Sequence, residues 1–314
     1  MSKKMRGNIM LLTTALIWGA AFVAQSEGMK YIGPFTYNML RNYIAFLILI
    51  PVTYLLGKNS AEEDQKRSCE TNLESNKEAY IGGLRKGIDS TTLKGGIACG
   101  LALAVASALQ QTGVSMTSAG KAGFLTSLYI IFVPILGIFL RKRIPRIVWL
   151  CVFLAICGFY LLCVKDGFSI SKGDLFCLGC AVGFSVHIMV VDHFAEKNTD
   201  GILMSCIQFL TAAVFSSILT FLFENPTWEG ILGAGIPILY AGVLSSGVGF
   251  TLQIIAQKDT NPTVATLLMS LESVFSVLFG WLLLHESLSG RELLGCLLVF
   301  VAVILCQIPL PEKS

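Results

Sequence analysis

The sequence predicts an all-α membrane protein of ten transmembrane helices, built as two inverted five-helix repeats. Three observations support this fold class. Of the 314 residues, 54% are hydrophobic and only 14% are charged, whereas soluble domains carry about 25% charged residues. The apolar residues are grouped into ten long stretches, and the second half of the chain repeats the first at a constant offset. Nucleic-acid binding is not expected, because the net charge is only +3.

Each apolar stretch of about 20 residues predicts a spanning helix, because lipid offers no partner to an unpaired backbone group. The first stretch follows Lys3, Lys4 and Arg6, as in a signal peptide. It is longer than a usual signal sequence and leads directly into the next stretch, so we expect an uncleaved helix. The ten predicted spans cover residues 8–28, 34–56, 95–114, 118–140, 146–164, 173–193, 200–223, 233–257, 262–284 and 291–309.

The distribution of Lys and Arg predicts the orientation. With the N-terminus in the cytoplasm, the inward loops and tails hold seventeen basic residues and the outward loops hold four. By the positive-inside rule, both termini are expected in the cytoplasm of a multi-pass protein of the cell membrane. The polar segment at about 57–93 shows no strong helical period, and we expect a mobile cytoplasmic loop there.

An internal repeat divides the chain into residues 1–164 and 165–314. An offset of 143 positions aligns the third to fifth predicted spans with the eighth to tenth without gaps, and it pairs Gln110 with Gln253. Since each half has five spans, the two copies must face opposite ways. Accordingly, the basic hairpin at 141–143 aligns with Leu-His-Glu at 284–286. Inverted repeats around a midplane site are typical of secondary transporters.

Two helices carry a resemblance to a known family. They are residues 124–140, FLTSLYIIFVPILGIFL, and residues 271–286, LESVFSVLFGWLLLHE. These runs resemble the signature helices of EamA-like members of the drug/metabolite transporter superfamily, and the resemblance extends over nearly the whole chain. It implies a transporter with a central cavity lined by both halves. Two departures are the long loop after the second span and the basic Arg143, where the family usually has an acidic residue.

Ionisable residues inside predicted spans are the first candidates for a substrate site, because each costs about 2.5–3.5 kcal/mol to insert into lipid. Glu272 is either a carboxylate that binds a proton or an amine, or a structural acid bonded to a neighbouring helix. Arg41, with Tyr37 on the same helical face, either binds a substrate carboxylate or bridges to protein groups. His187 is either a proton shuttle or a buried core residue.

Polar stripes add further candidates for the cavity wall. Trp18 shares a face of the first span with Thr14 and Gln25, and the paired Gln110 and Gln253 are expected symmetrically about the midplane. Tyr129 occupies the position equivalent to Glu272. Such stripes are explained either by hydrogen bonds between helices or by a wet pathway.

No metal, cofactor or catalytic residue is predicted. Cys177 and Cys180 form a C-x-x-C pair, but neither a second pair nor a histidine at zinc-ligand spacing accompanies it. The sequence therefore predicts a secondary transporter, exporter or exchanger of a small polar metabolite such as an amino acid or related amine. The alternative is a membrane-embedded enzyme that acts on a lipid or lipid-linked head group. The substrate and the oligomeric state stay open.

Overall fold

A computed structural model describes residues 3–70, 89–117, 119–141, 144–163, 171–197, 199–284 and 289–307. Within these ranges the protein is all-helical, without strands. The helices are α1 (Lys3–Gly28), α2 (Pro34–Glu70), α3 (Ser90–Val114), α4 (Ala119–Ser127), α5 (Tyr129–Phe139), α6 (Arg146–Cys163), α7 (Lys172–Ala195), α8 (Gly201–Phe223), α9 (Trp228–Gly233), α10 (Gly235–Leu239), a π-helix (Tyr240–Phe250), α11 (Thr251–Gln257), α12 (Pro262–Met269), α13 (Leu271–Leu284) and α14 (Gly290–Gln307).

Eight helical stretches in the described ranges are long and apolar enough to cross a membrane. They are Met5–Gly28, Pro34–Leu55, Ser90–Val114, Ala122–Phe139, Lys172–Ala195, Gly201–Phe223, Gly235–Gln257 and Pro262–Leu282. The fifth and tenth predicted spans correspond instead to shorter apolar helices, Arg146–Gly158 and Leu293–Leu305. The protein is therefore a multi-pass membrane protein, and the predicted count of ten spans is not confirmed by helix length.

The prediction of a loop at 57–93 is wrong at both ends. Helix α2 continues to Glu70, and α3 begins at Ser90, where the Asp89 carboxylate accepts a hydrogen bond from the backbone N–H of Thr92 at 3.1 Å. The extension of α2 is rich in Ala, Glu, Gln, Lys and Arg, which favour a helix even without an apolar face. Residues 71–88 lie outside the described part of the chain, as do Arg143 and residues 285–288.

Three of the predicted spans are not continuous α-helices. The fourth breaks at Leu128 between α4 and α5, and the ninth breaks at Ser270 between α12 and α13. At the second break the Ser270 hydroxyl donates to the carbonyl of Leu267 at 2.8 Å, a contact that often bends helices. The eighth span contains eleven residues of π-helix, a geometry that is frequent at functional sites.

The helices pack as one bundle, and we name its two ends after the residues at the ends of α8. The Gly201 end holds the N-terminus of α8, and the Glu224 end holds its C-terminus. At the Glu224 end, the Glu224 carboxylate accepts hydrogen bonds from the backbone N–H groups of Phe35 and Thr36, both at 2.8 Å. This contact caps the N-terminus of α2 and satisfies donors that a helix start leaves unpaired.

Candidate functional site

A small cavity lies inside the bundle and is lined by both halves of the chain. Seven of the eight residues predicted as site residues line it: Trp18, Arg41, Gln110, Tyr129, His187, Gln253 and Glu272. The space open to the centres of water-sized molecules is about 30 Å³. A water needs about 10–15 Å³ on such a measure, so this conformation has room for only a few waters, and a metabolite requires a wider one.

Arg41 brings a buried cation to the cavity wall. It is the eighth residue of α2 and is only 2% exposed. Within the described residues it forms no ion pair, and its Nε makes no hydrogen bond to the protein. The helix is anchored beside it by Asn38, whose Nδ2 donates to the carbonyl of Ser107 on α3 at 2.9 Å. A buried guanidinium without an ion-pair partner among the described residues is a ready site for an anionic group.

Glu272 brings a carboxyl group to the same cavity from α13. It is 4% exposed, and its Oε1 accepts hydrogen bonds from the hydroxyls of Tyr129 at 2.9 Å and Ser127 at 3.5 Å. The Ser273 hydroxyl contacts Ser127 and the carbonyl of Gly123, at 3.3 Å from the latter. These contacts join the broken spans α4–α5 and α12–α13 at their breaks. No ion pair links Glu272 to Arg41.

The helix breaks also provide an electrostatic environment for the carboxyl group. Glu272 is the second residue of α13, and its partner Tyr129 is the first residue of α5. Ser127, whose hydroxyl also reaches this carboxyl group, is the last residue of α4. The carboxyl group therefore lies where the negative end of one half-helix meets the positive end of the next, and the two partial charges oppose each other there.

Aromatic rings form the apolar wall. The Trp18 indole donates from Nε1 to the carbonyl of Ser245 in the π-helix at 3.1 Å. Its ring centroid lies 4.6 Å from that of Phe250, and the Phe184 ring lies 6.5 Å from Phe250. The Thr14 hydroxyl donates to the carbonyl of Gly249 at 3.2 Å. The predicted stripe on α1 therefore serves both purposes: Thr14 joins two helices, and Trp18 and Gln25 line the cavity.

The two paired glutamines line the cavity near opposite ends of the bundle. Gln110 lies four residues from the C-terminal residue of α3, and Gln253 lies four residues from that of α11. The Gln253 Nε2 donates to Oε1 of Gln257 at 2.9 Å, and Gln257 in turn donates to the carbonyl of Ile188 at 3.1 Å. The side-chain Oε1 of Gln253 makes no hydrogen bond to the described residues.

His187 lies on the cavity wall and is fully buried. Its Nε2 lies 2.8 Å from Oε1 of Gln208 on α8, and its ring meets the Phe250 ring edge-on at a centroid distance of 5.7 Å. Its Nδ1 makes no hydrogen bond to the described protein. A role as a buried core residue therefore does not fully explain His187, because its Nδ1 has no hydrogen-bond partner among the described residues.

Tyr37 is the predicted cavity residue that the structure places elsewhere. Its hydroxyl donates to the carbonyl of Pro237 at 3.1 Å, and its ring is buried in a second apolar cluster at the Glu224 end with Ile32 and Ile238. Tyr37 lies one helical turn from Arg41, but α10 and the π-helix pack over this part of α2 and take up the tyrosine ring. Sharing a helical face therefore did not place both side chains in one cavity.

Several lining residues could not be singled out from the sequence. Phe22, Thr126, Ile188, Ser245 and Phe250 line the cavity, but each is a residue type common in any membrane helix. Phe184 was recognisable only as the counterpart of Trp18. No group of three or more His, Cys, Asp or Glu residues suited to a metal occurs in the described ranges. Cys180 is buried, with its Sγ 3.3 Å from the Thr126 hydroxyl.

Comparisons with known proteins point to one family. A model of the EamA-like transporter family matches residues 5–164 and again residues 171–307. An uncharacterized transporter of Archaeoglobus fulgidus is 28% identical over 98% of this chain and 87% of its own length. The uncharacterized transporter YoaV of Bacillus subtilis is 23% identical over 92% of both chains. A chloroplastic WAT1-related protein of Arabidopsis thaliana is 24% identical over 95% of this chain and 69% of its own length.

A protein of known crystal structure shares the fold. It matches 96% of both chains with a TM-score of 0.73 at 17% sequence identity. At this identity the match supports the arrangement of helices and carries no information about substrate.

Proposed function

Because the chain belongs to the EamA-like transporter family, we propose that it is a secondary transporter that moves a small polar metabolite by alternating access. The observation that carries this proposal is the cavity itself. A buried guanidinium from the first half of the chain and a buried carboxyl group from the second half line one space without pairing with each other. Such an arrangement suits a solute with both an anionic and a cationic group, such as an amino acid, or a related amine.

The energetics favour a role in binding over a role in folding. Burying an ion costs several kcal/mol unless it is paired and hydrogen-bonded. Arg41 has neither an ion pair nor a bond to Nε among the described residues, so the fold gains little from its charge. A substrate carboxylate at Arg41 supplies the missing partner, and Glu272 supplies the group for an amine or a proton.

The packing of the helices supports two inverted five-helix repeats. If the first five spans correspond in order to the last five, then α1 corresponds to α7, and α4–α5 to α12–α13. Helix α1 packs against α12–α13, and α7 packs against α4–α5. Likewise, α3 packs against α7, and the corresponding elements of the other half are also in contact, because the π-helix and α11 pack against α1. The breaks at Leu128 and Ser270 also fall within one residue of equivalent positions.

On this arrangement, the shorter α6 and α14 are the fifth and tenth spans. They pack against each other, which fits corresponding helices beside a twofold axis. Ten spans put both termini on one side of the membrane, and the excess of basic residues in the inward loops places that side in the cytoplasm. Residues 1–164 and 165–314 then form the two repeats. The cell membrane is the expected location.

We propose that an ion gradient drives transport, and that Glu272 binds the coupled proton. Its carboxyl group lies where the two broken spans meet, so gaining or losing a proton there changes the hydrogen bonds that join the spans. Its hydrogen-bond partners are the hydroxyls of Ser127 and Tyr129. Neither of them supplies a permanent charge.

Purified protein in liposomes tests the proposal. Radiolabelled amino acids and small amines are offered with and without an imposed proton gradient, and Arg41→Met and Glu272→Gln vesicles serve as comparisons. We expect wild-type flux of at least one zwitterionic solute, a strongly reduced flux in Arg41→Met and no proton-dependent flux in Glu272→Gln. Turnover of a lipid head group without solute flux would instead support the membrane-embedded enzyme.

A further inference from the structure

We propose that His187 forms an uncharged hydrogen-bonding subsite that accepts a hydroxyl or amide N–H of the substrate. This subsite lies toward the opposite end of the cavity from Arg41. The proposal rests on the transporter function proposed above and narrows its substrate class to zwitterions whose side chain carries a neutral hydrogen-bond donor.

The contact with Gln208 determines what His187 can offer. In the observed orientation of the Gln208 amide, Oε1 faces the imidazole Nε2 at 2.8 Å and can only accept, so Nε2 carries the proton. In a neutral imidazole the other nitrogen, Nδ1, is then an acceptor. Nδ1 has no hydrogen-bond partner in the described protein although the ring is fully buried and lines the cavity.

The ring is held in place by its neighbours. Phe250 meets it edge-on at 5.7 Å and is itself packed by Phe209 at 6.1 Å and by Trp18 at 4.6 Å. With Gln208 fixing one nitrogen, the imidazole has little freedom to turn toward another partner. The Nδ1 acceptor is therefore preorganised, which lowers the entropy cost of binding a donor.

The repeat gives this subsite a counterpart. Arg41 is the eighth residue of α2, and Gln208 is the eighth residue of α8, the corresponding helix of the second half. Arg41 places a cation at the cavity wall, whereas Gln208 places a neutral amide against His187, which lines the cavity. The first repeat thus provides a site for a carboxylate and the second a site for an uncharged donor.

The absence of a nearby charge favours a neutral ligand. No carboxylate forms an ion pair with His187 in the described ranges, so a buried imidazolium would lack compensation. A donor on the substrate satisfies the buried Nδ1 acceptor, whereas the apolar isostere leaves Nδ1 unpaired and loses that hydrogen bond. The isostere should therefore bind about 10-fold or more weakly.

The tautomer is measured without any substrate. We expect ¹⁵N NMR of histidine-labelled protein to show a protonated Nε2 and an unprotonated Nδ1 for His187, assigned by comparison with His187→Phe. The Gln208→Leu variant should lose this preference. A protonated Nδ1 in the wild-type protein would overturn the inference, whatever the protein transports.

Flux measurements in proteoliposomes test the selectivity with two isosteric pairs, asparagine with leucine and serine with 2-aminobutyrate. We expect the wild type to prefer the donor-bearing member about 10-fold and Gln208→Leu to lose most of that preference. In Gln208→Glu the added carboxylate favours the imidazolium, so selectivity should become pH-dependent. Gln111→Leu is the matched control, because Gln111 is a buried glutamine outside the cavity lining, and its selectivity should equal that of the wild type.

The outcomes separate the two proposals. Equal flux of both members of each pair in the wild type would refute the subsite while leaving the transporter intact. No flux of any of the four amino acids would refute the narrowed substrate class, and the broader screen of amines and amino acids then decides the transporter proposal on its own.

Discussion

Replacing Arg41 with Met should make the protein more stable while impairing transport. Arg41 is 2% exposed, forms no ion pair in the described structure, and has an unpaired Nε. Exchanging buried ionic groups for apolar residues of similar volume is often stabilising by about 1–4 kcal/mol. Taking about 1–3 kcal/mol here, and about 3 °C per kcal/mol, the melting temperature should rise by about 3–9 °C.

The same change removes the proposed partner of the substrate carboxylate. A hydrogen bond to a charged group contributes about 1.5–3 kcal/mol, so the half-saturation concentration should rise about 10- to 100-fold. Thermal unfolding in detergent and flux in liposomes measure the two effects on the same preparation. Arg291→Met is the matched control, because this exposed arginine only covers the Tyr160 ring at 5.4 Å, and it should change stability by less than about 1 kcal/mol.

A destabilised Arg41→Met would refute this reasoning. It would mean that the guanidinium is held by protein groups, as in a bridge to backbone carbonyls, and that its charge contributes to folding. Arg41→Lys further distinguishes a role in substrate binding from a role in folding, because lysine retains a charge but not the planar fork of donors.

Three further predictions concern other parts of the molecule. Glu272→Gln should remain folded, within about 1 kcal/mol by the shift in melting temperature, yet lose proton-dependent flux; wild-type flux would return Glu272 to a structural role. Gly19→Ala should cost about 1–3 kcal/mol in thermal unfolding, because the new Cβ would lie 2.9 Å from the Glu272 carbonyl oxygen and closer still to Phe275. The control Gly235→Ala, with nothing within 4 Å, should be neutral, and equal losses in both would reject a steric cause. Reporter tags at the two termini should give the same side of the membrane, and opposite sides would reject an even number of spans.

The cavity residues were predicted from ionisable residues, polar stripes and the internal repeat rather than from the hydrophobic stretches themselves. Hydropathy places the helix ends within about five residues of those observed, except for the C-terminal end of α2, but it says nothing about which faces meet. The offset of 143 positions paired Gln110 with Gln253 and Tyr129 with Glu272, and all four line the cavity. The offset therefore carried three-dimensional information that hydropathy alone does not hold.

Features set by tertiary contacts were not predictable from one sequence. The breaks at Leu128 and Ser270 have no proline or glycine at the break itself, and the contacts between Ser127, Ser273 and Glu272 that accompany them join residues far apart in the chain. Gln208 was missed because a single glutamine on an apolar helix attracts no attention until its partner is known. The extension of α2 to Glu70 was missed because helix propensity without an apolar face gives no periodic signal.

The division of charged groups between the two halves bears directly on the proposed mechanism. Arg41 lies on α2 and Glu272 on α13, so a movement of one of these helices toward or away from the other changes the distance between guanidinium and carboxyl group. A zwitterion of fixed length can engage both at only one separation, and its binding free energy is then available only in the conformation that has this separation. A ligand shifts a conformational equilibrium only by its difference in affinity between the states. A substrate that carries only one charge can satisfy one of the two groups at any separation, so it should bind both conformations more equally and drive the transition less.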